Sequence, residues 1–255
     1  RVAVDGRHNI DEQTAQYIDL SNDLAPSVNG RKVLQHDFIK VMLKPFPVDL
    51  LVLPNPVFRH TVHDRSTFVV VHRDPQAEIY LVRNEHFDAN LQRIAQYYRS
   101  FGASVPDPQS ELCKFERMVW TRHASADSAS LKELAARLEQ LRGDASMPIK
   151  DKVDAMALVE KLHIEGHLAQ ARQLNDLLLQ SLPSGHRLHL ALSVHRTALG
   201  VRLCEPPTQT RERIEQINAN VSARLSKNGG DRSRIFLPGE GRIFESLQTN
   251  YGTVR

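Results

Sequence analysis

The clearest pattern along the chain is a pair of β-rich runs separated by a short polar break. Ser66–His72 (STFVVVH) is dense in β-branched residues, and Glu78–Arg83 (EIYLVR) alternates polar and apolar positions. Residues 73–77 between them supply a turn, so the segment predicts a hairpin. Just upstream, Val48–Leu53 is bounded by Pro47 and Pro54 and reads as a buried strand. Downstream the period lengthens. Leu91, Ile94, Ala95 and Tyr98 share one face of a helix that Asp88 can cap and Gly102 can stop. Leu112–Thr121, which holds the single tryptophan, is read as another strand. Ser130 and Glu133 have the spacing of a capping box, followed by a stripe of Leu131, Leu134, Leu138 and Leu141 and a stop at Gly143.

Residues 150–182 predict a long helix or a bent pair interrupted at Gly166. A second hairpin is expected from Arg187–Val194 and Leu199–Cys204, turning through residues 195–198. A helix with Ile214, Ile217, Val221 and Leu225 on one face follows, and then a tail with one further strand. Near the N-terminus, residues 11–20 and 33–43 have helical patterns, and prolines at 45, 47, 54 and 56 exclude a helix there. Hairpins interleaved with helices, without regular βαβ alternation, predict an α+β fold: a mixed or antiparallel sheet with helices packed on it. A single unit spanning residues 1–255 is expected, with Gly143–Lys150 as its one seam.

Composition narrows the functional classes. At 255 residues, 41% hydrophobic and 25% charged, the chain can bury a substantial core, and no run approaches the apolar length of a membrane helix. Net charge is only +3, which points away from nucleic acid. Basic residues exceed acidic ones by five between Arg187 and Arg255, an excess that suits an acidic partner or a solvated face. The chain starts at Arg1 and so reads as a trimmed piece of a longer product. Two distant cysteines, Cys113 and Cys204, fit a reducing compartment and read as buried, inert thiols.

Several residues could carry chemistry. His163 and His167 (HIEGH) are four apart, a spacing that can share a metal or simply expose two imidazoles on a polar face. His60, His63 and Asp64 (HTVHD) place imidazoles beside a carboxylate, so a hydrolase or lyase site over residues 60–74 is one reading. The glycines at 239 and 241 do not make a phosphate loop, and no cofactor is indicated. In His186–Thr210 (HRLHLALSVHRTALGVRLCEPPTQT) the expected antiparallel pairing sets His189 across from Glu205. A carboxylate there would fix the imidazole tautomer and raise its basicity.

A histidine-led strand, a return strand ending at Glu205-Pro206, a helix and then Gln248 resembles the C-terminal part of the YopJ-type effector acetyltransferases. It is similar, more distantly, to the ubiquitin-like-protein proteases of papain-related fold. The resemblance covers residues 186–255 and implies His189 as base, Glu205 as orienter and Gln248 as oxyanion donor, with His186 an alternative base. Val254 stands where the family has its nucleophilic cysteine, so acyl transfer or isopeptide cleavage would need a thiol that this segment lacks. The resemblance further implies a virulence effector that recognises a protein partner, acting in the cytoplasm or delivered into a host cytosol. A non-enzymatic interaction domain with structural histidines is the reading from a different class, and it expects an exposed apolar patch.

Overall fold

The computed structural model describes residues 27–28, 31–32, 49–54, 65–74, 77–143, 148–227, 235–236 and 240–252. The helices expected over 11–20 and 33–43, and His60, His63 and Asp64, lie outside them. The fold is α+β, and the expected single unit is divided into two: residues 1–110 and residues 111–255. The boundary falls between Ser110 and Glu111, while the expected seam at 143–150 lies inside the second unit.

The first unit holds the β-structure. β1 (Ser27–Val28) and β2 (Arg31–Lys32) form a small antiparallel ladder. β3 (Leu50–Pro54), β4 (Phe68–Arg73) and β5 (Ala77–Val82) form an antiparallel sheet in the order β3-β5-β4. The expected hairpin is β4–β5. Its turn is closed by Asp74, whose backbone N–H donates to Ala77 O and whose carboxylate accepts from Ala77 N. β3 is an edge strand rather than a buried one, and Leu50 and Val52 are exposed. The β4–β5 register shifts between Val70 and His72, leaving Val71 as the extra residue of a bulge. The hydroxyl of Tyr98 donates to Val71 O, so a bulge that interrupts the ladder keeps its carbonyl satisfied. Tyr98 belongs to α1 (Phe87–Ser100), which buries Phe87, Leu91, Ala95 and Tyr98 as its spacing predicts. Within the sheet, Arg73 and Glu78 form a buried pair at 3.0 Å, and Tyr80 donates to the same carboxylate.

The second unit is helical throughout its described residues: α2 (Leu112–Thr121), α3 (Ala129–Gly143), α4 (Ile149–Ile164), α5 (Leu168–Gln180), α6 (Arg187–Arg202), α7 (Pro207–Lys227) and α8 (Glu240–Tyr251). Three expected strands are therefore helices. In α2, Phe115, Glu116, Val119 and Trp120 are buried, a spacing of i, i+1, i+4 and i+5 that fits one helical face. In α8, Ile243, Phe244 and Leu247 repeat that logic.

The third correction is the largest. Arg187–Arg202 is one buried helix, not a hairpin. Its alternation of Leu188, Leu190, Leu192 and Val194 imitates a strand because almost every face of the helix is buried. A helix enclosed on all sides has no polar stripe to reveal its period. α6 packs against α2, α4, α5, α7 and α8, so the unit is assembled around it. Each leucine fully buried there contributes about 2 kcal/mol of transfer free energy. The cap of α3 also moves: Ser128 Oγ accepts from Leu131 N, while Ser130 Oγ donates to Glu165 Oε1 at 2.8 Å. α4 and α5 confirm the bent pair. Between them Gly166 adopts φ +87, where a Cβ would also stand 2.3 Å from Trp120 O.

Candidate functional site

The C-terminal end of α6 brings together the densest set of charged side chains described in the second unit. The helix stops in a Schellman turn: Glu205 N donates to Gly200 O at 2.9 Å and Cys204 N to Val201 O at 3.3 Å. Cys204 is the left-handed residue of that turn, at φ +63. Its sulfur is bonded to Cys113 of α2, so the expected pair of separate thiols is a disulfide. The error came from placing both cysteines in strands. Folding α6 as a helix carries Cys204 to its end, beside α2.

One residue further on, the Glu205 carboxylate meets arginines from three helices. Arg196 of α6 straddles it, with Nη2 2.8 Å from Oε1 and Nη1 donating to Oε2 at 3.1 Å. Arg172 of α5 reaches Oε1 at 3.1 Å, and Arg213 of α7 donates to Oε2. Arg196 Nε also donates to Asp176 of α5 at 2.7 Å, and Arg172 lies 3.5 Å from that same carboxylate. The carboxylate of Glu205 fills the space left by the missing side chain of Gly200, where a Cβ would lie 2.5 Å from Oε2. Burial opposes its ionisation, but hydrogen bonds and charge from Arg196 and Arg213 outweigh that and hold the carboxyl below the ordinary glutamate range. Burial likewise opposes the charge on Arg196, and Glu205 with Asp176 reverses the effect and raises it.

Beside this network runs an open groove of about 460 Å³, lined by Ala169, Arg172, Gln173, Asp176 and Leu177 of α5 and by Leu203. Its lining mixes apolar side chains with a guanidinium, an amide and a carboxylate. Such a surface can seat a segment that carries both apolar and charged groups.

The residues expected to form a catalytic set do not converge. His189 lies in the first turn of α6 and Glu205 beyond its last, so a rise of ~1.5 Å per residue keeps them roughly 20 Å apart. Near His189 stand Ser193 Oγ, 3.5 Å from Nδ1, and the charge of Arg224. Burial and then Arg224 hold its imidazole below the ordinary histidine value, opposite to the effect of a partnering carboxylate. His186 caps α6, its Nδ1 accepting from Leu188 N. Gln248 of α8 donates its side-chain amide to Asn218 of α7.

His163 and His167, expected on an exposed face, are buried on either side of the break at Gly166. The His163 ring lies 5.7 Å from that of Trp120, and His167 Nε2 lies 4.0 Å from Glu165 Oε2. Among the described residues no group of three His, Cys, Asp or Glu side chains could hold a metal ion. In the first unit, His72 Nε2 stands 3.3 Å from Asp74 Oδ2, both about a third exposed.

Arg172, Asp176, Arg196 and Arg213 escape the sequence reading. Arg172 and Asp176 are separated by one helical turn, a legible hint, but their convergence with Arg196 and Arg213 needs the tertiary fold. No protein-family model, curated protein or solved structure matches this chain.

Proposed function

We propose that this chain is a partner-binding protein, and that the groove beside Arg172 receives a polypeptide segment bearing acidic and apolar side chains. The observation that carries the reading is the state of Arg172. Its guanidinium is paired on one side with Glu205 and Asp176, yet its side chain remains 44% exposed in the groove. Three guanidinium groups share two carboxylates, so the network keeps a positive charge beside the apolar lining of Ala169, Leu177 and Leu203. A carboxylate arriving there meets a planar donor already oriented by its neighbours. This is the interaction-module reading, and acyl transfer plays no part in it. The disulfide also favours an oxidising compartment over a reducing one. No helix among the described residues is long and apolar enough to cross a membrane.

The reading is tested by selecting short acidic-apolar peptides against the purified protein, with basic-apolar peptides as the control set. Selected peptides should bind Arg172→Glu and Leu203→Asp variants roughly tenfold or more weakly, the size of effect seen when one charge or apolar anchor is lost. Circular dichroism should match that of the parent protein. Equal enrichment of basic and acidic peptides, or affinity untouched by both substitutions, would sink it.

A further inference from the structure

Three helices of this protein end in the same turn. After α1, Gly102 N donates to Arg99 O and Ala103 N to Tyr98 O. After α4, Gly166 N donates to His163 O and His167 N to Leu162 O. After α6, Cys204 and Glu205 repeat the pattern. The left-handed residue is glycine in the first two turns and cysteine in the third, and Cys204 is the only non-glycine residue described with positive φ. A side chain in that region crowds the following carbonyl, so the turn after α6 is intrinsically the weakest of the three. It is also the one that is covalently tied, through Cys204 to Cys113 of α2. Two independent observations, backbone conformation and covalent linkage, thus fall on one residue.

Its neighbours give that residue consequences. Glu205, next in the chain, joins Arg172 of α5, Arg196 of α6 and Arg213 of α7. Leu203, immediately before it, lines the groove with Arg172. Both sulfurs belong to half-buried residues, within reach of a small thiol.

We infer that the Cys113–Cys204 disulfide is a redox latch: it holds the turn after α6 in its left-handed form, and its reduction releases Glu205 from the arginines and remodels the groove. The reductant is a low-molecular-weight thiol or a dithiol. Its thiolate attacks one sulfur of the bridge to form a mixed disulfide, and a second thiolate resolves that intermediate. Two protons and two electrons pass to the protein, giving two cysteine thiols, and the reductant leaves as its disulfide. Once Cys204 is free, nothing covalent opposes relaxation of its φ to negative values. The Glu205 N–H···O=C bond to Gly200 then opens, and the carboxylate moves with the backbone. The inference does not depend on the groove taking a peptide.

Native-state hydrogen exchange separates a latch from a simple cross-link. The amides of Cys204 and Glu205 are followed in the oxidised protein, in protein reduced by glutathione, in Cys113→Ser, and in Cys113→Ser combined with Cys204→Gly. Reduction and Cys113→Ser should each speed exchange at Glu205 roughly tenfold, the factor expected when a left-handed side chain loses its tether. The amides of Ala103 and His167, in the glycine-ended turns, should not change. The double variant should restore protection at Glu205, because glycine holds the left-handed conformation without help. Equal exchange in oxidised and reduced protein would overturn the inference. So would a bridge that glutathione leaves closed, or a double variant exchanging as fast as Cys113→Ser, which would make the disulfide a staple with no role in the turn.

Discussion

Helices α4 and α6 end in turns with the same hydrogen bonds, yet the two turns are held by different means. At Gly166 the conformation is intrinsic, and the residue has no side chain to meet the carbonyl of Trp120. At Cys204 the conformation is supported from outside, by the bond to Cys113 and by the arginines gathered on Glu205. The first turn is set locally and serves packing. The second depends on three other helices, so a change in any of them reaches it. That difference marks the α6 turn as the place where this fold can respond to something.

The largest expected effect probes the intrinsic turn. Gly166→Ala adds a Cβ in a left-handed residue and drives it to 2.3 Å from a backbone oxygen that belongs to another helix. Conformational strain of ~1–2 kcal/mol and overpacking of ~1–3 kcal/mol together predict a loss of about 4 kcal/mol, measured by urea unfolding. The turn after α1 is the control. A Cβ at Gly102 meets nothing within 4 Å, so Gly102→Ala should lose only the strain, ~1–2 kcal/mol. Equal losses at the two positions would show that close approach to Trp120 does not matter.

The supported turn breaks in another way. Glu205→Gln keeps the shape and removes the charge that three arginines share, and loss of one partner from a buried ionic set costs ~3–5 kcal/mol. With Arg172 44% exposed, the lower end is expected, about 3 kcal/mol. The pH dependence has a definite sign. Glu205 has a folded pKa below its unfolded value, so its contribution is complete above the ordinary glutamate range and is lost as pH falls through the folded value. The stability gap between the parent and Glu205→Gln should therefore be constant near neutrality and close in acid. A gap that widens in acid would mean that the arginines do not hold this carboxylate.

How much of this was legible depends on whether an element shows a solvent face. The β4–β5 hairpin, α1 and the bend at Gly166 are readable because exposed polar positions mark their periods. α6 is enclosed by five other helices, and the same absence of a polar face that makes it central hides its period. Everything built on the α6 hairpin failed with it, including the opposition of His189 to Glu205 and the strand placement of Cys204. Glu205 itself was singled out from the sequence as a carboxylate that orients a partner. It does so, but its partners are guanidinium groups, and only the tertiary fold brings Arg172 and Arg213 to it.

The smallest effect bears most directly on the two ends of α6. At the C-terminal end a carboxylate sits among cations, while at the N-terminal end His189 sits half-buried within the field of Arg224. Burial first and that charge second depress its pKa, so between the folded and unfolded values the unfolded chain binds more protons. Stability should fall slightly as pH drops through the ordinary histidine value and level off below the folded one, and His189→Gln should flatten that segment of the curve. A proton NMR titration of the imidazole reads the same quantity at the residue, with a midpoint expected below that of free histidine. A carboxylate partner would move the midpoint the other way, because it stabilises the imidazolium. The direction of one titration therefore decides whether His189 is a packed side chain at a helix start or one half of an acid–base pair. A midpoint above that of free histidine would reopen the catalytic reading at the end of α6 where the structure places no acid beside it.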